Sequence, residues 1–219
     1  MRAPRQLPAR CLILCVFAFV LAYPADGQEA GTAVVSSGTR VLTDLAYVQT
    51  GHARQRLDLY VPNTGAGPVP VVVWIHGGAW TSGGKESHRL FPLVTSFVAD
   101  GFAVASINHR FSQQETFPAQ IQDAKAAVRW VRANAATYGL DPDRIAAWGA
   151  SSGAHLAALP GTPAGAREFG DTDDRTSRVQ AVADFFGPAD FLQMDAHRLG
   201  LREWVLQFLN AHLRAPARG

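Results

Sequence analysis

The stretch that most restricts the fold of this chain is Gly149-Ala150-Ser151-Ser152-Gly153, a G-x-S-x-G pattern. The run before it, Arg144-Ile145-Ala146-Ala147-Trp148, reads as a short buried strand. The run after it, Ala154-His155-Leu156-Ala157-Ala158-Leu159, reads as the first turns of a helix. A strand joined to a helix over so few residues must bend sharply, and a side chain at either glycine would collide with the adjoining strand and helix. A serine at such a bend is held out at the sheet edge as a nucleophile elbow. Gly and Ser are common, so the pattern alone also fits an ordinary loop; the flanking strand and helix give it its weight.

The neighbouring segments extend this strand–bend–helix unit into a layered fold. Val41 to Gln49 and Arg56 to Pro62 alternate in part around Thr50-Gly51-His52, and read as an antiparallel hairpin that opens the sheet. Val69 to Ile75 is a nearly continuous β-branched run, the mark of a strand buried on both faces. It ends in His76-Gly77-Gly78-Ala79-Trp80. Ser87 to Asp100 has helical spacing at Leu90, Leu93, Val94, Phe97 and Val98, and Phe102 to Ile107 is the next buried strand. The longest helix is expected over Phe117 to Ala136, with Ile121, Ala124, Val128 and Val131 on its inner stripe and Arg129 and Arg132 on other faces. Leu140-Asp141-Pro142-Asp143 then turns into the Ser151 strand. Gly161 to Ser177 reads as a surface loop, Val179 to Phe186 as a further strand ending in Gly187-Pro188-Ala189-Asp190, and Leu201 to Leu213 as an amphipathic helix. Alternating strands and helices of this kind make a doubly wound, mostly parallel α/β sheet. Ligands in such sheets bind at the carboxyl ends of the strands, where both glycine-rich stretches fall.

The first residues are set apart. Arg2, Arg5 and Arg10 precede the apolar run Cys11 to Ala22 and then Ala25-Asp26-Gly27, the layout of a signal peptide over residues 1–27. The apolar run is too short for a stable bilayer anchor, the alternative reading. Residues 28–40 form a small, polar lead-in, and residues 41–219 one domain. Removing residues 1–27 takes away three arginines and Asp26, so the formal charge falls from +2 to zero and gives no case for nucleic-acid binding. Cys11 and Cys15 leave with the leader, so no disulfide, thiol nucleophile or cysteine metal ligand is expected. The histidines show no metal-ligand spacing, and neither a metal nor a cofactor is expected. The product is expected to be secreted or periplasmic.

A serine hydroxyl needs a base to take its proton and donors aimed at the developing oxyanion. The amide of Ser152, at a helix N-terminus, is one candidate donor; Gly78, Ala79 and Gly77 supply others from the His76–Trp80 turn. Trp80 reads either as a pocket wall or as core. His76 precedes the glycines and is expected to hold the turn by hydrogen bonds rather than act as base. His155, one helical turn past Ser151, is expected in helix packing, and His109 as a structural histidine. Gly83-Gly84-Lys85 raises a phosphate loop, but Lys85 is one place late and Glu86 stands where Ser or Thr should bind magnesium.

On these residues the chain resembles the α/β-hydrolase superfamily. It is most similar to secreted esterases with an H-G-G-x-W oxyanion loop, feruloyl-esterase-like and acetyl-xylan-esterase-like enzymes related to the hormone-sensitive-lipase group. The residues that carry the resemblance are His76-Gly77-Gly78-Ala79-Trp80, Asn108-His109-Arg110, Phe117-Pro118 with Asp123, Asp141 to Ile145 and Gly149 to Gly153. They span about residues 40 to 190. The resemblance implies an eight-stranded, mostly parallel sheet and hydrolysis of small carboxylic esters through an acyl-serine. Its pattern also departs from that expectation. The family order is Ser, then Asp or Glu, then His, on loops after the last two strands. Only 29 residues follow Asp190, and they show no buried strand run ending in a Gly-Asp-x-Asp acid loop and no Gly-His-Gly-like segment. Asp190 or Asp195 with His197 is too close a pair to come from two successive strands. The sheet is therefore expected to lack about two strands, with a segment between about Asp195 and Leu201 missing. An inactive or impaired hydrolase-like remnant is the alternative this leaves open.

Overall fold

The computed structural model describes residues 38–63, 67–90, 93–162, 169 and 177–191. The segments read as a leader (1–27) and, up to residue 37, as a lead-in, most of residues 163–176, Asp195, His197 and the run 201–213 read as a helix lie outside the described residues.

Strands β1 (Thr39–Ala46), β2 (Arg56–Pro62), β3 (Val69–Ile75), β4 (Ala103–Ile107), β5 (Leu140–Ala150) and β6 (Ala181–Phe185) form one sheet in the order β1-β2-β4-β3-β5-β6. The β1–β2 and β2–β4 pairs are antiparallel; β4–β3, β3–β5 and β5–β6 are parallel. Helices α1 (Leu93–Ala99), α2 (Ala119–Ala133), α3 (Ala135–Tyr138) and α4 (Ser152–Gly161) connect them, with a 3₁₀ turn at Lys85–Leu90. This is the expected α/β sheet opened by an antiparallel hairpin, with six strands among the described residues.

The period of two along β3 divides the core. Val71, Val73 and Ile75 join Ile121, Ala124, Val128 and Val131 of α2 and Leu156 and Ala157 of α4 on one face. Val72 and Trp74 join Val94 and Val98 of α1 and Trp148 of β5 on the other. Each fully buried side chain of this size stabilises by about 1.5–3 kcal/mol, so the central strands are anchored from both sides.

Some boundaries differ from the sequence reading. β1 starts at Thr39, inside the segment read as lead-in, and carries an irregularity between Leu42 and Leu45, with Asp44 at φ 56°. The helix expected over Ser87 to Asp100 divides into the 3₁₀ turn and α1. The long helix breaks at Asn134, and α3 ends on Gly139 in the left-handed region, φ 75°. The stretch read as a turn at Leu140 to Asp143 belongs to β5, because Leu140 pairs with Val69 before the register shifts to Ile145 opposite Val71. β6 is exposed along its whole length, at the edge of the described sheet.

Candidate active site

Ser151 stands between β5 and α4 with φ 54° and ψ −124°, a backbone conformation that a non-glycine residue holds only under strain of about 1–3 kcal/mol. The glycines on either side make the bend possible. A β-carbon on Gly149 would lie 2.3 Å from the carbonyl of Gly153, and one on Gly153 would lie 2.2 Å from the Ile75 carbonyl oxygen. The Ser151 amide donates to the Phe185 carbonyl of β6 at 2.9 Å, and its own carbonyl accepts from Ala154 and His155 in the first turn of α4.

The second glycine-rich stretch leaves the carboxyl end of β3 beside this bend. Gly77 passes so close that a β-carbon there would lie 2.8 Å from the Ala150 carbonyl oxygen and 3.3 Å from the Ser151 β-carbon. Gly78, Ala79 and Trp80 follow with φ of 121°, 51° and 60°. Three successive residues in this region turn the chain back on itself. The Gly78 carbonyl accepts from the amides of Thr81 at 2.9 Å and Ser82 at 3.0 Å. No hydrogen-bond acceptor among the described residues engages the amide of Gly77, Gly78, Ala79 or Ser152. The structure thus brings five of the six predicted site residues, Ser151, Ser152, Gly77, Gly78 and Ala79, to one end of the β3–β5 pair. The sixth, Trp80, packs as a core residue. It is 3% exposed, and its ring meets those of His155 and Phe191 at 5.6 and 5.8 Å.

His76, His109 and His155 lie as the sequence suggests. His76 is fully buried, and its Nδ1 lies 2.7 Å from the Gly77 carbonyl oxygen. A carbonyl only accepts, so Nδ1 carries the proton and Nε2 is the bare nitrogen. Burial, with the stacked His109 ring at 4.5 Å, lowers the His76 pKa to about 3, and the imidazole is neutral. Burial lowers His109 as well. His155 falls to about 4, again through burial, partly opposed by Asp184. Among the described residues no histidine is hydrogen-bonded to the Ser151 hydroxyl.

Around the glycine turn lies a polar framework that the sequence reading largely missed. Arg54, from the β1–β2 connection, donates from Nε to the His109 carbonyl at 2.8 Å and from a terminal nitrogen to the Gly83 carbonyl at 3.0 Å. Asp123, 1% exposed, takes two hydrogen bonds from the Arg110 guanidinium at 2.8 and 3.0 Å, one from the Arg110 amide at 2.8 Å and one from Gln55 at 2.6 Å. The loop beyond β4 closes over the turn, with the Ser112 amide donating to the Trp80 carbonyl at 2.9 Å. Lys85 is buried, with its ammonium 2.9 Å from Asp58, 3.0 Å from Glu86 and 3.2 Å from Asp44. Burial pulls its pKa down, but the three carboxylates outweigh this and hold it above the usual lysine value. That ammonium is committed to carboxylates, which removes the phosphate-loop reading of Gly83-Gly84-Lys85. Arg110 and Asp123 were legible through the family resemblance. Arg54 sits in a turn with no periodic pattern, and no local signal singles it out.

Comparisons with known proteins agree with this architecture. The family model BD-FAE matches residues 57–214. A probable carboxylic ester hydrolase of Mycobacterium tuberculosis, LipM, is 37% identical over 159 residues, covering 69% of this chain and 35% of that protein. The chain spans about a third of the length of the curated relatives it matches. Among solved structures, a truncated form of a carbohydrate esterase from gut microbiota superposes with a TM-score of 0.64 at 35% identity, over 72% of this chain and 60% of that one. Esterase B from Lactobacillus rhamnosis, 23% identical, gives a TM-score of 0.67 over 92% of this chain and 65% of that one, a likeness of fold. With the family match running from β2 through the Ser151 bend and beyond β6, the chain belongs to the BD-FAE family and has the α/β-hydrolase fold.

Proposed function

We propose that this chain carries the nucleophile and the oxyanion site of a serine carboxylic ester hydrolase. The observation that carries the reading is the strained Ser151 backbone, set beside a glycine turn whose Gly77, Gly78 and Ala79 amides have no acceptor among the described residues. In this mechanism the Ser151 oxygen attacks the ester carbonyl carbon and its proton passes to a base. The carbonyl oxygen becomes an oxyanion received by the amides of Ser152, Gly78 and Ala79, with Gly77 as a further donor. Each such donor contributes about 3–4 kcal/mol to the transition state, and the N-terminus of α4 adds a favourable dipole. Collapse of the intermediate expels the alcohol and leaves an acyl-serine, which water then hydrolyses. Trp80, buried against His155 and Phe191, anchors the turn to the core. The mechanism uses no metal or cofactor, and the substrate class is a small ester, in keeping with the esterase names of the relatives.

The test is hydrolysis of a short-chain nitrophenyl ester by wild type and Ser151→Ala, with an expected loss of about a thousandfold or more in kcat. Equal rates would remove Ser151 from the mechanism. A second reading, a hydrolase-like protein of impaired activity, is favoured by one observation: no described histidine is bonded to Ser151. A fluorophosphonate probe separates the two, since prompt covalent labelling at Ser151 requires an activated hydroxyl. Export follows from the leader-like residues 1–27, and a mature N-terminus near residue 28 in the exported product tests it.

A further inference from the structure

The turn that presents the Gly77–Ala79 amides is closed by the Gly78 carbonyl, which accepts from the Thr81 and Ser82 amides, but its backbone is strained. With positive φ from Gly78 through Trp80, it depends on neighbours to keep it in place. One side chain from the β1–β2 connection reaches several of them. Arg54 donates to the carbonyl of Gly83, just past the turn, and to the carbonyl of His109, two residues beyond β4. Its terminal nitrogen also lies 3.4 Å from His76 Nε2 and 3.4 Å from Asn108 Oδ1. The guanidinium plane is packed 3.6 Å from the centre of the Phe111 ring. Asn108 Oδ1 in turn accepts from the Lys85 amide at 2.7 Å, and the Tyr47 hydroxyl donates to the Asn108 carbonyl at 2.7 Å.

The contact with His76 gives Arg54 a particular role. Arginine can only donate, so a guanidinium facing Nε2 favours the tautomer whose proton is on Nδ1. That is the tautomer in which His76 donates to the Gly77 carbonyl. Gly83 closes the other side: a β-carbon there would lie 2.6 Å from the Gly77 oxygen and 2.7 Å from His76 Nδ1. We infer that Arg54 is a positioning residue, which selects the Nδ1–H tautomer of His76 and pins Gly83, and so fixes where the Gly77–Ala79 amides point. It touches no reacting atom. The catalytic consequence rests on the ester-hydrolase reading given above; the tautomer does not.

The experiment uses the full chain and two readouts. Arg54→Ala is expected to lower kcat for nitrophenyl acetate by about tenfold or more, with KM changed by less than about twofold, because a misaimed donor is lost chiefly in the transition state. Arg54→Lys, which keeps a donor without the fork or the stacking face, recovers part of that loss. Imidazole ¹⁵N shifts, with the His76 signal assigned by its absence in His76→Gln, are expected to report Nδ1–H in wild type and a mixture of tautomers in Arg54→Ala. A kcat for Arg54→Ala within about twofold of wild type, where Ser151→Ala is inactive, overturns the positioning role. An unchanged His76 tautomer overturns it as well. Equal hydrolysis by wild type and Ser151→Ala would sink the ester-hydrolase reading instead, and the tautomer then decides for Arg54 alone. Arg54→Gln replaces the alanine variant if that variant does not fold.

Discussion

Toward β4, the turn beside Ser151 rests on paired side chains that are buried or half-buried: His76 on Gly77, Arg54 on Gly83 and His109, and Arg110 on Asp123. Toward β6, the neighbouring strand is exposed along its full length, with Phe185 and Phe186 among the exposed large apolar residues. The Ser151 amide reaches that strand through the Phe185 carbonyl. The same serine therefore has one flank set by buried electrostatics and close backbone packing, and another formed by a strand facing solvent. The contrast indicates where rigidity comes from. A buried donor or charge without its partner costs several kcal/mol, so a paired polar framework tolerates few alternative arrangements. An exposed strand loses little by moving.

Substitution on the tight flank should have the largest effect. Gly153→Ala would put a methyl carbon 2.2 Å from the Ile75 carbonyl oxygen and 2.4 Å from that of His76, both of them backbone. Either β3 or α4 must shift, and the expected loss is about 3 kcal/mol or more in urea denaturation. A variant as stable as wild type would show that the two glycine motifs are not pressed together.

Acidification should have a smaller, graded effect that sharpens the comparison. His76 and His155 have folded pKa values of about 3 and about 4, below the ordinary histidine value of 6.5. Between those values the unfolded chain binds protons that the folded chain does not, so stability is complete above pH 6.5 and declines as the pH falls. Each histidine contributes up to about 1.4 kcal/mol per pH unit in that window. The His155 share ends near pH 4, and the His76 share, on the tight flank, continues toward pH 3. Urea midpoints for His76→Gln and His155→Gln across this range should each show a shallower slope than wild type. An unaltered slope would mean that the ring in question is hydrated in the fold.

The smallest effect is expected on the open flank. Phe186 is 63% exposed and has φ 49°, a conformation that asparagine tolerates well. Phe186→Asn should change stability by no more than about 0.5 kcal/mol. A loss of several times that amount would show that the β6 flank is also built on packing.

Much of the centre of the fold was readable along the chain. The Val69–Ile75 run became a strand buried on both faces, the Ile121–Val131 stripe faced the core, and the glycines flanking Ser151 proved sterically obligatory. These are local properties, carried by side-chain period and by residues without a β-carbon. The reading failed where long-range pairing overrode local chemistry. Asp141-Pro142-Asp143 looks like a turn, yet its neighbours pair with β3 and draw it into β5. β1 begins at Thr39, paired with Pro62 of β2, inside the small polar segment read as a lead-in.

The sequence alone determined the kind of bend at Ser151, the buried central strands and the glycine turn that follows β3, since each is written in residues adjacent along the chain. Tertiary structure decided that β4 lies between β2 and β3, that Arg54 meets His76 across 22 positions and that Gln55 meets Asp123 across 68. An arginine or a carboxylate carries no mark of its partner. Which opposite charge or bare nitrogen it finds depends on which loops the packed sheet brings to the same end.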